Sequence, residues 1–460
     1  MFSDIDSGFL EKYDKSGPRY TSYPPATSFH TDYKSQDYVE DLKESNIQKP
    51  ESISLYMHIP FCPKRCSFCG CNTVIGKGKS FMEEYTDTMI QEIENVSAYI
   101  DLIRPVSQIH WGGGTPNALP KVLAEKIMNY VAKKFKISSR AEVAIECSPS
   151  YLTLDDIDFY KSIGFNRMSI GVQDFHDNVL DIINRDKPKS ALNDLFSKLK
   201  EVGFTGNNLD LIYGLPGQSV DSYHDNLVKA LTISPDRIVT FSYAHVPWVK
   251  AHQKDLEKFG LPIAEQKMKM LLDSFHTLTS NGYVPIGMDH FAKETDSLAM
   301  AVNNNMLHRN FQGYCTRETT GQVYAFGTSS ISQLDNCYTQ NNKNVNEYIK
   351  LIKDTGFAIE RGYRLSDKEK LVRDIITKIM CSGEVDFNRI AIDYAMTGDS
   401  LISFLNPDFK NLENYERDGL ITFSNNILNV KPKGFLVVRI IAMEFDPYLE
   451  LGTNKFSRTV

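Results

Sequence analysis

Four of the chain's 8 cysteines fall in one stretch, Cys62-Pro63-Lys64-Arg65-Cys66-Ser67-Phe68-Cys69-Gly70-Cys71. Thiolates are soft ligands that hold iron–sulfur clusters or zinc. The C-x3-C-x2-C spacing groups Cys62, Cys66 and Cys69. A ferredoxin-type 4Fe–4S cluster takes four cysteines and is closed; three cysteines would leave one iron open to a substrate or cofactor. The alternative is a zinc knuckle that recruits Cys71. Zinc sites usually pair two C-x2–4-C knuckles across a longer stretch, and no second pair with that spacing occurs here. Cys147, Cys315, Cys337 and Cys381 read as small apolar packing groups.

A second run, Gly112-Gly113-Gly114-Thr115-Pro116, lets backbone approach a ligand closely, although a tight turn would use the same residues. Further along, Glu146, Gln173, Asp210 and His245 stand at or near the ends of apolar segments. A carboxylate there can accept ribose hydroxyls, and an amide can accept and donate. Arg185 can pair with a cofactor carboxylate. Taken singly, each is equally well explained by strand-end solvation or helix capping. Collected at one end of a sheet, they favour binding.

What must position these residues is an alternation of strand and helix. Strands are predicted at Ile53–Ile59, Val106–Trp111, Glu142–Glu146, Arg167–Gln173, Asn208–Tyr213 and Arg237–Ala244, and helices at Phe81–Asn95 and near 120–135. Thr153 with Asp156 forms a capping-box pattern that opens another helix. Six such units predict a parallel sheet, with the cysteine loop directly after its first strand, where α/β folds carry active residues. A helical period at Met268, Leu271, Leu272, Phe275 and Leu278 ends at Asn281-Gly282. Tyr283–His290 and Val323–Ile331 are read as extending or covering the barrel. After residue 365, helices near 366–382, 387–396 and 410–418 precede a hairpin, Leu420–Phe423 with Ile427–Val430, turned by Asn425-Asn426. A last helix follows Gly434. The domains expected are an arm (1–50), a barrel with extension (51–350) and a mostly α, winged-helix-like C-terminal domain (360–460).

The 460 residues carry a net charge of −7, with 42% hydrophobic and 24% charged residues. This composition excludes a disordered or low-complexity protein. No basic footprint for nucleic acid is present, and no apolar run approaches the ~18–20 residues that span a bilayer. So few cysteines in so long a chain do not make a disulfide scaffold. The N-terminal residues lack the pattern of a secretory leader. A cytoplasmic protein is expected, with neither a nucleic-acid nor a membrane partner.

The cysteine loop, with aromatic Phe68 before its last ligand, resembles the signature of the radical S-adenosylmethionine superfamily. Longer strings narrow the resemblance: Gly17-Pro18-Arg19-Tyr20-Thr21-Ser22-Tyr23-Pro24, His58-Ile59-Pro60-Phe61-Cys62, His110-Trp111-Gly112, Gly171-Val172-Gln173-Asp174-Phe175, Asp210-Leu211-Ile212-Tyr213-Gly214-Leu215-Pro216, Gly287-Met288-Asp289-His290 and His308-Arg309-Asn310-Phe311-Gln312-Gly313-Tyr314. Together they are similar to the oxygen-independent coproporphyrinogen III oxidases (coproporphyrinogen dehydrogenases). The resemblance implies an incomplete (β/α)6 barrel, a 4Fe–4S cluster on Cys62, Cys66 and Cys69, and two molecules of S-adenosylmethionine per turnover cycle. It implies that a 5′-deoxyadenosyl radical oxidatively decarboxylates two propionates of coproporphyrinogen III to vinyl groups, giving protoporphyrinogen IX. The electron donor would be a carrier such as flavodoxin or ferredoxin, and the protein a monomer.

By motif, the resemblance implies cofactor contacts at Tyr56, Phe68, Gly113, Gly114, Thr115, Glu146, Gln173, Arg185, Asp210, Ala244 and Ile331. It implies catalytic roles for Tyr56, Glu146, Phe311, Gln312 and Ile331. Cys71 corresponds to an extra cysteine that is not a required ligand. Arg19 and Arg309 are candidates for pairing with substrate propionates, ordinary surface arginines being the alternative. One departure is Cys147-Ser148-Pro149-Ser150 after Glu146, where many relatives carry an acidic residue and then an arginine. A haem chaperone, or another tetrapyrrole-modifying radical protein, remains the competing reading.

Overall fold

The computed structural model describes residues 5, 7–47, 51–316, 322–449 and 456. The chain forms two compact units, each built from separated segments. One comprises 29–262 and 317–364, the other 1–28, 263–316 and 365–460.

The first unit holds the parallel sheet. Its strands are β1 (Ile53–Ile59), β2 (Val106–Gly113), β3 (Ile137–Cys147), β4 (Arg167–Gln173), β5 (Asn208–Tyr213) and β6 (Arg237–Ser242). They pair in that order, all parallel. The expected incomplete six-stranded barrel is therefore present. Strand β3 begins five residues before its apolar pattern, because Ile137 already pairs with Val106 at the start of β2, ahead of a register shift. Strand β6 stops at Ser242, so Ala244 and His245 lie just past its end.

Alternation decides which side chains the sheet presents. Leu55, Met57 and Ile59 of β1 are 0–1% exposed, with Tyr56 and His58 between them on the opposite face. The helix Lys79–Ser97 buries Tyr85, Met89, Ile93 and Val96, a stripe at helical period. The Thr153–Asp156 capping box opens the helix Leu154–Ser162, as expected.

The sheet also grows beyond β1. A seventh parallel strand (Val323–Phe326) pairs with β1. Three antiparallel strands follow it: Ile331–Gln333, Cys337–Asn341 and Ile359–Arg364. Val323–Phe326 lies in the stretch read as extending the barrel, whereas the other three are short and rich in polar residues and carry too little apolar period to be legible beforehand. Residues 35–45 form a helix held to this edge by Arg104, which reaches Asn46, Gln322 and Tyr324.

The second unit combines the helix Ala264–Thr279, the hairpins Tyr283–Ile286/His290–Lys293 and Leu307–Asn310/Gly313–Thr316, and the C-terminal segment. Leu298, Leu307, Tyr314 and Cys381 share one buried cluster. The C-terminal segment has helices Asp367–Cys381, Phe387–Asp393, Gly398–Leu405 and Phe409–Arg417, and a three-stranded sheet rather than a lone hairpin, because Glu384–Asp386 pairs with Ile427–Val430. The arm residues 7–28 belong to this unit through Tyr20 and Tyr23, whose hydroxyls donate to Asp446 at 2.9 and 2.6 Å. Residues 29–47 belong to the other. No described helix is long and apolar enough to cross a membrane.

Candidate active site

The cysteine loop leaves β1 and is tied back to the sheet at several points. Phe61–Cys62 pairs with Val74–Ile75, closing the loop on itself. The end of β2 clamps its root: Gly114 N–H donates to Ile59 O at 2.8 Å and Thr115 N–H to Phe61 O at 2.9 Å. Cys62 Sγ lies 3.3 Å from Thr115 Oγ1. On the far side, Ser67 N–H donates to Ile183 O at 2.8 Å, and Asn184 Nδ2 to Arg65 O at 2.8 Å. Arg185 Nη1 sits 3.5 Å from Cys66 Sγ, with Nη2 on the carbonyl of Gly171.

The glycine run has a reason that spacing did not reveal. A Cβ on Gly112 would stand 2.8 Å from the Glu146 carboxylate, one on Gly113 2.6 Å from the His58 ring, and one on Gly114 2.6 Å from the Pro60 carbonyl carbon. The run lets β2 close on its own neighbours as well as leave room for a ligand. Gly113 also has φ +113, outside the range other residues adopt readily.

Cys62, Cys66 and Cys69 are partly buried, Cys71 is exposed, and none is in a disulfide. Burial pushes the Cys62 thiol up to about 11 against the Thr115 contact. Burial also raises Cys66 against the pull of Arg185. Cys69 is held down by its hydrogen bond with Cys71, whose own thiol is raised. Iron binding would displace these protons. Cys147, Cys315, Cys337 and Cys381 are buried, as expected of packing groups.

The other candidates of this unit arrange around the same strand ends. Tyr56 stacks on His110, ring centroids 5.9 Å apart, and its hydroxyl lies 3.2 Å from His58 Nδ1. His110 Nε2 donates to Glu146 Oε1 at 2.9 Å. Burial works upward on the Glu146 carboxyl, but His110 and the Gly113 N–H outweigh it and hold it low. Gln173 has φ +72 and sits where β4 slips register against β5, an irregularity that re-aims a side chain. Its buried Oε1 has no partner, which is costly unless a ligand donor meets it. Asp210 accepts from Ser169 and Asn208. Phe68 is held by Gln253, whose Nε2 donates to its carbonyl at 2.8 Å. Ile331 opens its strand, and Ala244 follows β6. His245 lies between Tyr243 and Glu257, 3.0 Å from each.

Phe311 and Gln312 form the tip of the hairpin 307–316, in the other unit. Gln312 N–H donates to Asn310 Oδ1 at 2.9 Å.

Three free thiols in one loop, an unpartnered buried amide oxygen at Gln173 and a carboxylate held ionised at Glu146 suit an open iron–sulfur cluster with a polar nucleoside cofactor. Among the described residues, no group of three or more His, Cys, Asp or Glu could hold a metal ion. A cluster differs in that each thiolate binds its own iron.

Two features escaped sequence reasoning. Inside the barrel, Glu142 accepts from Gln108 (3.0 Å) and Arg167 (2.9 Å), with Arg237 at 3.7 Å. The inward alternation of polar residues on β2–β6 was its signal. The turn 246–250 and the 3-10 segment Ala251–Phe259 brace the cysteine loop: His252 Nε2 donates to Cys69 O and Lys250 Nζ to Cys71 O, both at 3.0 Å. Nothing local announces that contact across about 180 residues of sequence.

Residues 56–228 match the model of the radical SAM superfamily. The chain is 38% identical over 99% of its length to the oxygen-independent coproporphyrinogen III oxidase of Synechocystis sp., covering 98% of that protein. It is 38% identical to its counterpart in Escherichia coli, covering 99% of each chain. A solved structure of coproporphyrinogen III oxidase from Escherichia coli, described as a radical SAM enzyme, matches with TM-score 0.88 and 36% identity over 97% of this chain and 99% of that one.

Proposed function

The chain belongs to the oxygen-independent coproporphyrinogen III oxidases of the radical SAM superfamily, and we propose from this how its own residues share the work. The reaction is the anaerobic oxidative decarboxylation of two propionates of coproporphyrinogen III to vinyl groups, giving protoporphyrinogen IX. When bound, the 4Fe–4S cluster and S-adenosylmethionine supply an electron and a hydrogen-abstracting 5′-deoxyadenosyl radical.

Cys62, Cys66 and Cys69 hold the cluster. Arg185, beside Cys66, offers positive charge to an anionic group there. Gly113, Gly114 and Thr115 present backbone to the cofactor. Glu146, kept ionised by His110, and Asp210 accept ribose or ammonium hydrogens, and Gln173 contributes its unpartnered oxygen. Tyr56, Phe68, Ala244 and Ile331 shape the walls. Phe311 and Gln312 act toward the substrate.

For the substrate carboxylates, Arg309 carries the argument. It is 8% exposed, its Nε and Nη1 have no partner, and its guanidinium lies 4.7 Å from the Tyr314 ring centroid. Burial works upward on the nearby Asp289 carboxyl, but His290, Arg309 and Arg19 bring it down to about 2. Two guanidiniums against one carboxylate leave a local positive charge that a propionate would balance.

We further propose a cytoplasmic monomer that receives its electron from a carrier such as flavodoxin or ferredoxin. Free thiols support the reducing compartment. The observation that carries the functional reading is the three-thiol loop clamped to the glycine-rich end of β2. The test is strictly anaerobic turnover of coproporphyrinogen III with S-adenosylmethionine and reductant, read as protoporphyrinogen IX. Stable haem transfer without turnover would instead make this a chaperone.

A further inference from the structure

The cluster proposed above must be recharged from outside, and a basic, partly apolar surface lies beside its loop. The turn 246–250 is closed by Val249 and Lys250 N–H groups donating to Val246 O, both at 2.9 Å. It carries Trp248, 57% exposed, and Val249, 66% exposed. The chain has 2 tryptophans, and the other, Trp111, is fully buried. Lys250 reaches the carbonyl of exposed Cys71. The next residue, Asn72, donates from Nδ2 to Lys343 O at 3.0 Å, which brings Lys343 to the same side of the loop. Lys343 is depressed by its own burial and by the charges of Arg361 and Lys250, each of which acts on its ammonium. Glu360 offsets part of this charge, its Oε2 accepting from Lys343 N–H at 3.3 Å.

Three cations against one carboxylate is a local excess in a chain of net charge −7. Like charges are costly to gather unless something complementary meets them. Exposed tryptophan beside basic groups is the composition of a docking centre with a charged rim.

We propose that this surface, the exposed Trp248 and Val249 together with Lys250, Lys343 and Arg361, is the docking site of the electron donor, a small redox protein with an acidic face around its prosthetic group. The inference rests on the cluster assignment above. In the step served, the reduced carrier loses one electron and the cluster held by Cys62, Cys66 and Cys69 gains it, with no bond made or broken between the proteins. The loop carbonyls of Cys69 and Cys71, held by His252 and Lys250, put the braced side of the loop against the carrier.

The test uses the cluster-loaded protein with a bacterial flavodoxin, and separately a plant-type ferredoxin, as acidic probes. Calorimetric titration at low and at physiological salt gives Kd for wild type, K343E and W248A. The expected result is binding that weakens as salt rises, a several-fold loss in K343E with a flattened salt dependence, and a salt-independent loss in W248A. Carrier-driven turnover should fall in parallel, whereas turnover driven by dithionite should match wild type in both variants. Wild type that binds neither carrier, or variants that bind as tightly as wild type, would overturn the docking site. Loss of dithionite-driven turnover in wild type would strike the functional reading instead, leaving the binding result to be judged by itself.

Discussion

At the scale of single residues, the site divides by chemistry. Replacing Cys62, Cys66 or Cys69 by alanine should each abolish bound iron, sulfide and visible absorbance, whereas Cys71→Ala should keep a full cluster; anaerobic iron and sulfide analysis checks both. Arg309→Gln should raise KM for coproporphyrinogen on the order of 30-fold, the cost of truncating one partner of a buried charged pair, with cluster content unchanged. Unchanged affinity would remove Arg309 from the substrate site. Cysteine spacing and strand-end polar residues were legible in the sequence because a motif keeps its ligands local. His110 was visible only as part of a string; its role as the donor that keeps Glu146 ionised depends on the register of β2 against β3.

At the scale of elements, the end of β2 and the interior of the barrel decide performance. Gly114→Ala puts a Cβ 2.6 Å from the Pro60 carbonyl carbon. That backbone cannot yield cheaply, so overpacking of about 1–3 kcal/mol is expected. The displaced loop should show as reduced iron retention on gel filtration. Glu142 gives a pH prediction. Burial works upward on it, but Arg167, Arg237 and Gln108 bring the carboxyl from 4.5 to about 2. A depressed carboxyl stabilises the fold fully above its unfolded value, and that contribution is lost as pH falls from about 4.5 toward about 2. It amounts to at most about 3.5 kcal/mol, since each tenfold change in proton affinity is worth ~1.4 kcal/mol. Glu142→Gln should lower Tm at pH 7 and narrow the difference from wild type near pH 3, measured by thermal melts across that range. The parallel strands were legible from apolar runs of the right length. Of the four extra strands at the β1 edge, Val323–Phe326 lay in the stretch read as extending the barrel, and the other three were not legible, because they are short and polar.

At the scale of the whole molecule, sequence order and compact unit part company. Residues 263–316 share a unit with 365–460, and Cys381 packs in the cluster of Leu298, Leu307 and Tyr314. A truncation ending at residue 364 should therefore expose that cluster and yield insoluble protein, whereas the intact chain should purify anaerobically as a brown protein that bleaches in air. Soluble expression and absorbance spectra check the pair. The acidic net charge also acquires a use, since it makes the few local cations at Arg309 and around Trp248 selective for anionic partners.

By itself, the sequence determined the parallel alternation and the three-cysteine loop, because periodicity and ligand spacing are local and survive without coordinates; the reaction class came only through the resemblance its longer strings carry. Tertiary structure alone decided which carbonyls the turn 246–250 and the segment 251–259 would hold, why three successive glycines are required, how the arm and middle segment are shared between units, and where Glu142 finds its two arginines. Each of these depends on groups far apart in the chain meeting at a few ångströms, and no local pattern encodes such a meeting.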